Sequence, residues 1–133
     1  YDLPFGCPGW LEGVIQANIF IRAGEARRCL VIGTETLSRV IDPHDRDSMI
    51  YADGAGAVIL EGRAGKEGIL SHKTQTWASE HAMLLHMQDS YNQDIQSGDI
   101  FIKMNGRKLY EFALNHVPNV VKIALDKSGV NIT

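Results

Sequence analysis

The sequence predicts an α/β fold, and three patterns along its 133 residues indicate it. Apolar residues recur at three- and four-residue steps over residues 8–24, which is the period of an amphipathic helix. A continuous apolar run over residues 29–33 has the length and β-branched character of a strand. A second helical stripe occupies residues 109–124. A run that is buried on both faces belongs in the middle of an α/β sheet.

Composition and charge narrow the class of protein. An apolar fraction of 44% with 22% charged residues is ordinary for a globular domain, so wholesale disorder is excluded. The 13 basic and 16 acidic residues leave no basic stripe for a nucleic acid. Two cysteines cannot form a disulfide framework and indicate a reducing compartment. No apolar run approaches the roughly 18 residues of a membrane span, so we expect a cytoplasmic protein without a membrane partner.

The first half of the chain is predicted to contain one helix and three strands. Pro8 suits the first turn of the first helix, and Gly24 suits its C-terminal cap. The polar composition of residues 42–47 predicts a surface loop. Two further strands are predicted at residues 57–60 and 68–71, and a turn at residues 62–65 joins them.

The second half is predicted to be mainly loop followed by helix. Residues 74–98 have poor periodicity, with one short helix expected near residues 80–87. The stripe over residues 109–124 predicts a helix that Gly129 ends. Pro118 lacks a backbone N–H, so we expect a break there, or two helices end to end.

Cys7 is the candidate nucleophile. It lies in a Gly-Cys-Pro-Gly segment before the first helix, and with Pro8 as the first helical residue it would occupy the N-cap. Free N–H groups and the helix dipole favour an anion there, so they would stabilise the thiolate. The alternative is a small buried apolar side chain, as for most cysteines outside disulfides. Position alone leaves both interpretations open, whereas Cys29, inside the apolar run, is expected to be core.

The other patterns that could carry chemistry are weak by themselves. The glycine-rich residues 53–57 predict a tight turn leading into a strand, because phosphate-binding loops need a helix after their glycines. His81 and His86 are five residues apart, which does not fit one helical face, and no metal site is expected. His116 is expected to be packed or half-exposed on the last helix. No histidine spacing supplies a base for Cys7.

Five motifs occur in one order along the chain. They are Gly-Cys-x-Gly, Leu-Val-Ile-Gly-x-Glu-x-x-Ser, Asp-Pro-x-Asp-Arg, Asp-Gly-Ala-Gly-Ala and Met-Asn-Gly, which begin at residues 6, 30, 42, 53 and 104. Together they resemble β-ketoacyl-ACP synthase III, a family of thiolase-fold condensing enzymes. The resemblance covers well under half of a family chain. It implies a partial thiolase-like α/β fold, a mixed sheet with packed helices, in which residues 1–73 end the first half and residues 74–133 start the second.

The resemblance also implies roles for individual residues. Cys7 falls on the acyl-accepting cysteine, and Arg46 falls on the arginine that stacks against the adenine of coenzyme A. Met104 and Arg107 fall where the family lines its pantetheine tunnel, and Tyr110 falls where an aromatic residue often lies along it. By themselves these surface positions are ambiguous, because surface arginines are usually solvated. The family's catalytic histidine and asparagine would follow residue 133.

The implied activity is an acyltransferase reaction that starts fatty-acid synthesis. The Cys7 thiolate would take an acyl group from acyl-CoA, and the enolate of decarboxylated malonyl-ACP would attack that group to give 3-oxoacyl-ACP. This chemistry implies no metal or redox cofactor. The family also implies acyl carrier protein as a partner and a homodimer. Without the histidine and asparagine, the isolated chain is expected to be inactive.

Three alternatives stand beside this interpretation. One is a non-catalytic thiolase-fold relative or assembly module, because the histidine and asparagine are not in this sequence. Another is a related polyketide or secondary-metabolite condensing enzyme, because Pro8 stands where many relatives have alanine. Residues 74–98, which help shape the tunnel in the family, also align poorly, so the acyl primer is not predicted. A cysteine hydrolase is the weakest, because no histidine lies in a base motif.

Overall fold

The computed structural model describes residues 1–65, 68–94 and 98–130. Its helices and strands are, in order, α1 (Gly9–Arg22), β1 (Arg28–Thr36), β2 (Asp53–Glu61), α2 (Ala78–His81), β3 (Leu85–Gln88), β4 (Phe101–Met104) and α3 (Gly106–Ser128). Short 3₁₀ turns occur at Leu37–Arg39, Arg46–Ile50 and Ala82–Leu84. The chain divides into a first unit, Tyr1–Thr36 with Asp53–Leu70, and a second unit, Leu37–Ala52 with Ser71–Thr133.

Helix α1 begins and ends close to the predicted bounds, but its apolar residues Trp10, Leu11 and Ile19 are about half exposed. Its buried positions are Gly13, Ile15 and Ala17. The C-cap is Ala23, and Gly24 follows it with φ +80°, a left-handed conformation in which its N–H donates to the Ile21 carbonyl at 3.1 Å. Glycine adopts that conformation at little cost, so the prediction that Gly24 ends the helix is confirmed.

Strands β1 and β2 form an antiparallel pair in the first unit, with Arg28 opposite Glu61 and Thr36 opposite Asp53. The sequence predicts that the apolar run of β1 is buried on both faces, and the structure corrects this. Val31 is buried under α1, whereas Leu30 is 62% exposed on the opposite face. Side chains alternate along a strand, so α1 covers one face only.

Helix α1 approaches β1 closely because glycines lie at the contact. A Cβ added to Gly13 would lie 2.9 Å from Cγ1 of Val31, and one added to Gly33 would lie 3.2 Å from the Trp10 side chain. Cys29 is half-buried near the same contact, and its thiol donates to the Ala17 carbonyl at 3.8 Å.

Two predictions around β2 are wrong. Strand β2 begins at Asp53, so the glycine-rich residues 53–57 are paired strand and not a turn. Residues 68–71 form no strand. The backbone there starts at Gly68 with φ +132°, outside the conformations of a strand, and the Ser71 hydroxyl donates to the Ala124 carbonyl in α3.

Strands β3 and β4 form an antiparallel pair in the second unit, with Leu85 opposite Met104 and Gln88 opposite Phe101. The short helix expected near residues 80–87 occurs earlier in the chain, as α2 and the 3₁₀ turn after it. The end of that range is strand because its residues pair with β4.

Helix α3 is continuous through Pro118, so the predicted break is wrong. A proline removes one backbone donor, and Pro118 is exposed, while the turns on either side keep their own hydrogen bonds. Asn105 caps the helix by accepting from Lys108 N at 3.2 Å, and Gly129 ends it with φ +71°, as predicted. In the described part of the chain, no helix combines the length and the apolar character needed to cross a bilayer.

Candidate functional site

Cys7 lies in the turn that precedes α1. The Gly9 N–H donates to the Gly6 carbonyl at 2.8 Å, and the Pro8 carbonyl accepts from Glu12 N at 3.0 Å. Pro8 has φ −82° and ψ 6°, which is not helical, so Pro8 is the N-cap and Gly9 is the first helical residue. The sequence-based placement of Cys7 at the N-cap is therefore wrong by one residue.

The surroundings of Cys7 are open. Cys7 itself is exposed, and a Cβ added to its neighbour Gly6 would meet nothing within 4 Å. The first-turn N–H groups of α1 carry the positive end of the helix dipole, and they begin two residues after the thiol. An exposed thiol beside that end can react as a nucleophile with an incoming carbonyl.

A shallow pocket of about 390 Å³ lies elsewhere in the first unit. It is lined by residues of α1, β1 and β2, namely Trp10, Gly33, Gly56, Ala57 and Val58. Cys7 does not line this pocket, and neither does any residue predicted to bind substrate.

Arg46 lies in the second unit, as the first residue of a 3₁₀ turn. Asp45 is the N-cap of that turn, and its carboxylate accepts from Asp47 N at 2.9 Å. The backbone of Arg46 is therefore held in a capped turn, while its side chain is exposed. A guanidinium presented in this way can stack on a planar ring.

The remaining substrate-binding candidates lie where β4 joins α3. Met104 is half-buried at the end of β4. The Arg107 guanidinium is 89% exposed and donates to Glu111 at 3.1 Å, and Tyr110 is 66% exposed one turn into the helix. The structure thus places Arg46, Met104, Arg107 and Tyr110 in the second unit and Cys7 in the first.

Asp42 is the residue that sequence reasoning placed most poorly. Residues 42–47 are predicted to be a surface loop, but Asp42 is only 1% exposed. Its carboxylate accepts from the backbone N–H groups of His44 at 2.9 Å and Tyr91 at 2.7 Å, from Ser90 Oγ at 3.0 Å, and from the Lys103 ammonium. A buried carboxylate needs such partners, so the loop folds inward around it.

Lys103 is the buried cation of this cluster. It is 2% exposed, and its ammonium also lies 3.8 Å from Asp45 Oδ2 and 3.6 Å from the centroid of the Tyr91 ring. Burial alone raises the pKa of Asp42, but the hydrogen bonds, above all the one from Lys103, outweigh it and hold that pKa well below its ordinary value. The available sequence signal was a lysine inside the apolar run Phe-Ile-Lys-Met.

Two histidines pack with aromatic rings in the second unit. The His116 ring lies tilted against its neighbours, 4.4 Å from the Phe112 ring and 4.6 Å from the Trp77 ring between centroids, and the His81 ring lies 4.7 Å from that of Phe112. The expectation that His116 is packed or half-exposed is confirmed. The His81 ring also lies 5.9 Å from the His116 ring between centroids. Within residues 1–65, 68–94 and 98–130, no group of three or more His, Cys, Asp or Glu side chains is arranged to hold a metal ion.

The chain resembles proteins of one group in sequence and in structure. A family model described as 3-oxoacyl-[acyl-carrier-protein (ACP)] synthase III matches residues 1–77. The beta-ketoacyl-[acyl-carrier-protein] synthase III of Laribacter hongkongensis is 36% identical over 97% of this chain and 40% of its own length.

Solved structures agree with the sequence matches. The 3-oxoacyl-[acyl-carrier-protein] synthase III of Aquifex aeolicus superposes with a TM-score of 0.84 at 32% identity, over 98% of this chain and 40% of that one. The priming beta-ketosynthase of the R1128 polyketide pathway superposes with a TM-score of 0.78 at 26% identity, over 98% and 40% of the two chains. The expected partial thiolase-like fold is confirmed by these superpositions, and the chain spans about 40% of the length of such relatives.

Proposed function

Because this chain belongs to the 3-oxoacyl-[acyl-carrier-protein] synthase III family, we propose that it is the part of a condensing enzyme that carries the acyl-accepting cysteine. The enzyme would join an acyl-CoA primer to malonyl-ACP and release CO₂, coenzyme A and a 3-oxoacyl-ACP. The single observation that supports this role most directly is the exposed Cys7 thiol at the start of α1, inside the stretch that matches the family.

The first step is acyl transfer to Cys7. Its thiolate attacks the thioester carbonyl, a new S–C bond forms, and the bond to the coenzyme A sulfur breaks as that thiolate leaves. The exposure of Cys7 and the open space at Gly6 support the approach of a bulky thioester.

The second step is a decarboxylative condensation. Malonyl-ACP loses CO₂, its enolate attacks the acyl-Cys7 carbonyl, and the sulfur of Cys7 leaves as the new C–C bond forms. Each tetrahedral oxyanion requires donors that are already in place. We assign the histidine and asparagine of the family's mechanism to parts of the complete enzyme outside this sequence, because the chain spans only about 40% of the length of its relatives.

Coenzyme A would contact the second unit through four residues. Arg46 would stack its guanidinium on the adenine, which suits a planar and exposed cation on a capped turn. Met104, Arg107 and Tyr110 would line the path of the pantetheine arm. Their position around the β4–α3 junction, with two of the three exposed, supports this assignment.

The reaction needs no metal or redox cofactor, since loss of CO₂ drives the condensation. Acyl carrier protein is the proposed protein partner, because it is part of the name of the relatives. We also propose a cytoplasmic homodimer. The apolar face of β1 and β2 that α1 leaves uncovered supports burial against further protein.

The test is a covalent adduct at Cys7. The complete protein that contains this sequence is incubated with acetyl-CoA, and intact-mass spectrometry is expected to show a gain of one acetyl group. Cys7→Ala should abolish the adduct, because no thiolate remains to accept the acyl group. Cys29→Ala is the matched control, since Cys29 is half-buried and donates to Ala17, and it should keep the adduct. An adduct that survives Cys7→Ala, or none with the unsubstituted protein, would refute the proposal.

A second candidate function is priming of a polyketide. It is favoured by the superposition on the R1128 priming beta-ketosynthase. The two functions differ in the acyl carrier protein that receives the condensed product. Turnover with a fatty-acid carrier protein that exceeds turnover with a polyketide carrier protein would favour fatty-acid synthesis, and the reverse order would favour this second candidate.

A further inference from the structure

The Asp42–Lys103 ion pair joins three segments of the second unit. Asp42 lies four residues before Arg46, Lys103 lies in β4 immediately before Met104, and Tyr91 lies beyond β3. Asp42 accepts from Lys103 and from the Tyr91 N–H, and the Tyr91 ring covers the ammonium at 3.6 Å. One buried pair therefore fixes all three segments.

Stability alone does not account for such a pair. Both charges are almost wholly buried, and removing two charges from water costs about as much as their attraction returns. An apolar pair of similar volume would stabilise the unit at least as well. A charged pair adds geometric specificity, because each of its hydrogen bonds fixes the position of a particular atom.

The pair acts directly on the turn that presents Arg46. The Asp45 N–H donates to the Asp42 carbonyl at 3.0 Å, and Lys103 Nζ lies 3.8 Å from Asp45 Oδ2. Asp45 in turn caps the turn that begins at Arg46. Lys103 therefore faces both carboxylates that shape the backbone just before Arg46.

The same lysine is fixed to the segment that follows β4. Lys103 is bonded through its backbone to Met104, and the neighbouring Ile102 N–H donates to the Val40 carbonyl at 2.8 Å. Asn105 N donates to the Leu84 carbonyl at 2.8 Å. The backbone on each side of Lys103 is thus anchored, so the ammonium is a fixed point between the Arg46 turn and Met104.

We propose that Asp42 and Lys103 are positioning residues for the nucleotide end of coenzyme A. They hold the backbone of Arg46 at a fixed position relative to Met104, so that one coenzyme A molecule engages both. This inference rests on the proposed function, because it takes coenzyme A as the ligand of Arg46. Neither Asp42 nor Lys103 touches the substrate, and each acts through Arg46.

The experiment compares two thioesters in the complete enzyme. Acetyl-CoA and acetyl-pantetheine carry the same reacting group and the same arm, but only acetyl-CoA carries the nucleotide. Lys103→Met should lower kcat/KM for acetyl-CoA about five- to thirtyfold, mainly through a higher KM. This factor corresponds to the binding free energy that a guanidinium stacked on a ring contributes. It should leave kcat/KM for acetyl-pantetheine nearly unchanged. A merely structural loss would lower both values by the same factor.

Further variants keep the test decisive. Lys103→Met leaves Asp42 buried without its cation, so the double variant Asp42→Asn/Lys103→Met, which removes both charges, should fold and still lose the preference for acetyl-CoA. Glu61→Gln is the control for loss of an ion pair, since Glu61 pairs with Arg28 and Arg63 in the first unit. It should keep the preference.

The Arg46→Ala variant distinguishes the positioning role of Asp42 and Lys103 from the assignment of coenzyme A as the ligand of Arg46. It should lose the preference for acetyl-CoA, and Lys103→Met should then cost nothing more in the Arg46→Ala background. If Arg46→Ala loses the preference while both Lys103 variants keep it, the positioning role is overturned and the proposed function stands. If the unsubstituted enzyme shows no preference, or Arg46→Ala keeps it, the coenzyme A assignment itself fails together with the positioning role.

Discussion

At the scale of single residues, Asp42 shows how burial and hydrogen bonding compete. Burial opposes its charge, but four donors in three segments favour it, and the pKa is lowered as a result. A carboxyl whose pKa is lower in the folded state than in the unfolded state stabilises the fold above its unfolded pKa. That contribution is lost as the pH falls through the folded pKa.

This linkage gives a prediction for Asp42→Asn. At pH 7 the variant should unfold more easily than the unsubstituted chain by about 3–5 kcal/mol, because the buried Lys103 side chain then lacks the Asp42 carboxylate with which it pairs. As the pH falls below the ordinary Asp value of 3.8, the difference should narrow, because Asp42 then begins to take up a proton on unfolding. Urea unfolding at pH 7, 5, 4 and 3 measures both free energies.

The control for this prediction is Asp94→Asn, at an exposed position of the same unit. Its unfolding free energy should stay within about 0.5 kcal/mol of the unsubstituted chain at every pH. A difference between Asp42→Asn and the unsubstituted chain that is constant from pH 7 to pH 3 would contradict the linkage.

At the scale of elements, helices were easier to predict than strands. The extent of α1 and its ending at Gly24 are local properties, and both agree with the structure. Residues 53–57 illustrate the opposite case. Their glycines indicate a turn, but hydrogen bonds to β1 make them strand, and that pairing partner lies about 20 residues earlier in the chain.

A second prediction concerns Pro118, which lies inside helix α3. Helix α3 runs through it, so the helix lacks one backbone hydrogen bond in its interior. Pro118→Ala should raise the free energy of unfolding by about 2 kcal/mol, because the lost donor returns and only part of the gain is offset by a freer unfolded chain. Thermal or urea unfolding measures it. Asn119→Ala, also exposed, is the control and should change stability by less than about 0.7 kcal/mol. A chain that is unchanged or destabilised by Pro118→Ala would contradict this account.

At the scale of the whole molecule, the described chain leaves apolar surface uncovered. Ile59 is 70% exposed and lies opposite Leu30 on the face of the sheet away from α1. A soluble domain seldom leaves such side chains in contact with water together. The chain also spans only about 40% of the length of its relatives.

The proposed enzyme therefore gives a prediction about the 133 residues alone. This chain should produce no 3-oxoacyl-ACP from acetyl-CoA and malonyl-ACP, whereas the complete protein should, because the members of a catalytic group act together and one member alone retains little activity. Product formation is measured by mass spectrometry of the carrier protein, with the complete Cys7→Ala protein as the inactive control. Turnover by the 133-residue chain would show that it holds all the catalytic groups that the reaction needs.

The amino-acid sequence was enough to predict the α/β class, the course of α1, the end of α3 at Gly129 and the family to which the chain belongs. These follow from periodicity, glycine conformation and motif order, all of which are local or additive along the chain. Three features were visible only in the folded chain: Asp42 is buried, Lys103 neutralises it, and Cys7 precedes the cap of α1. The first two depend on atoms brought together across 61 residues of sequence, and the third depends on a single backbone angle at Pro8. The spacing of neighbouring residues predicts neither these long-range contacts nor this backbone angle.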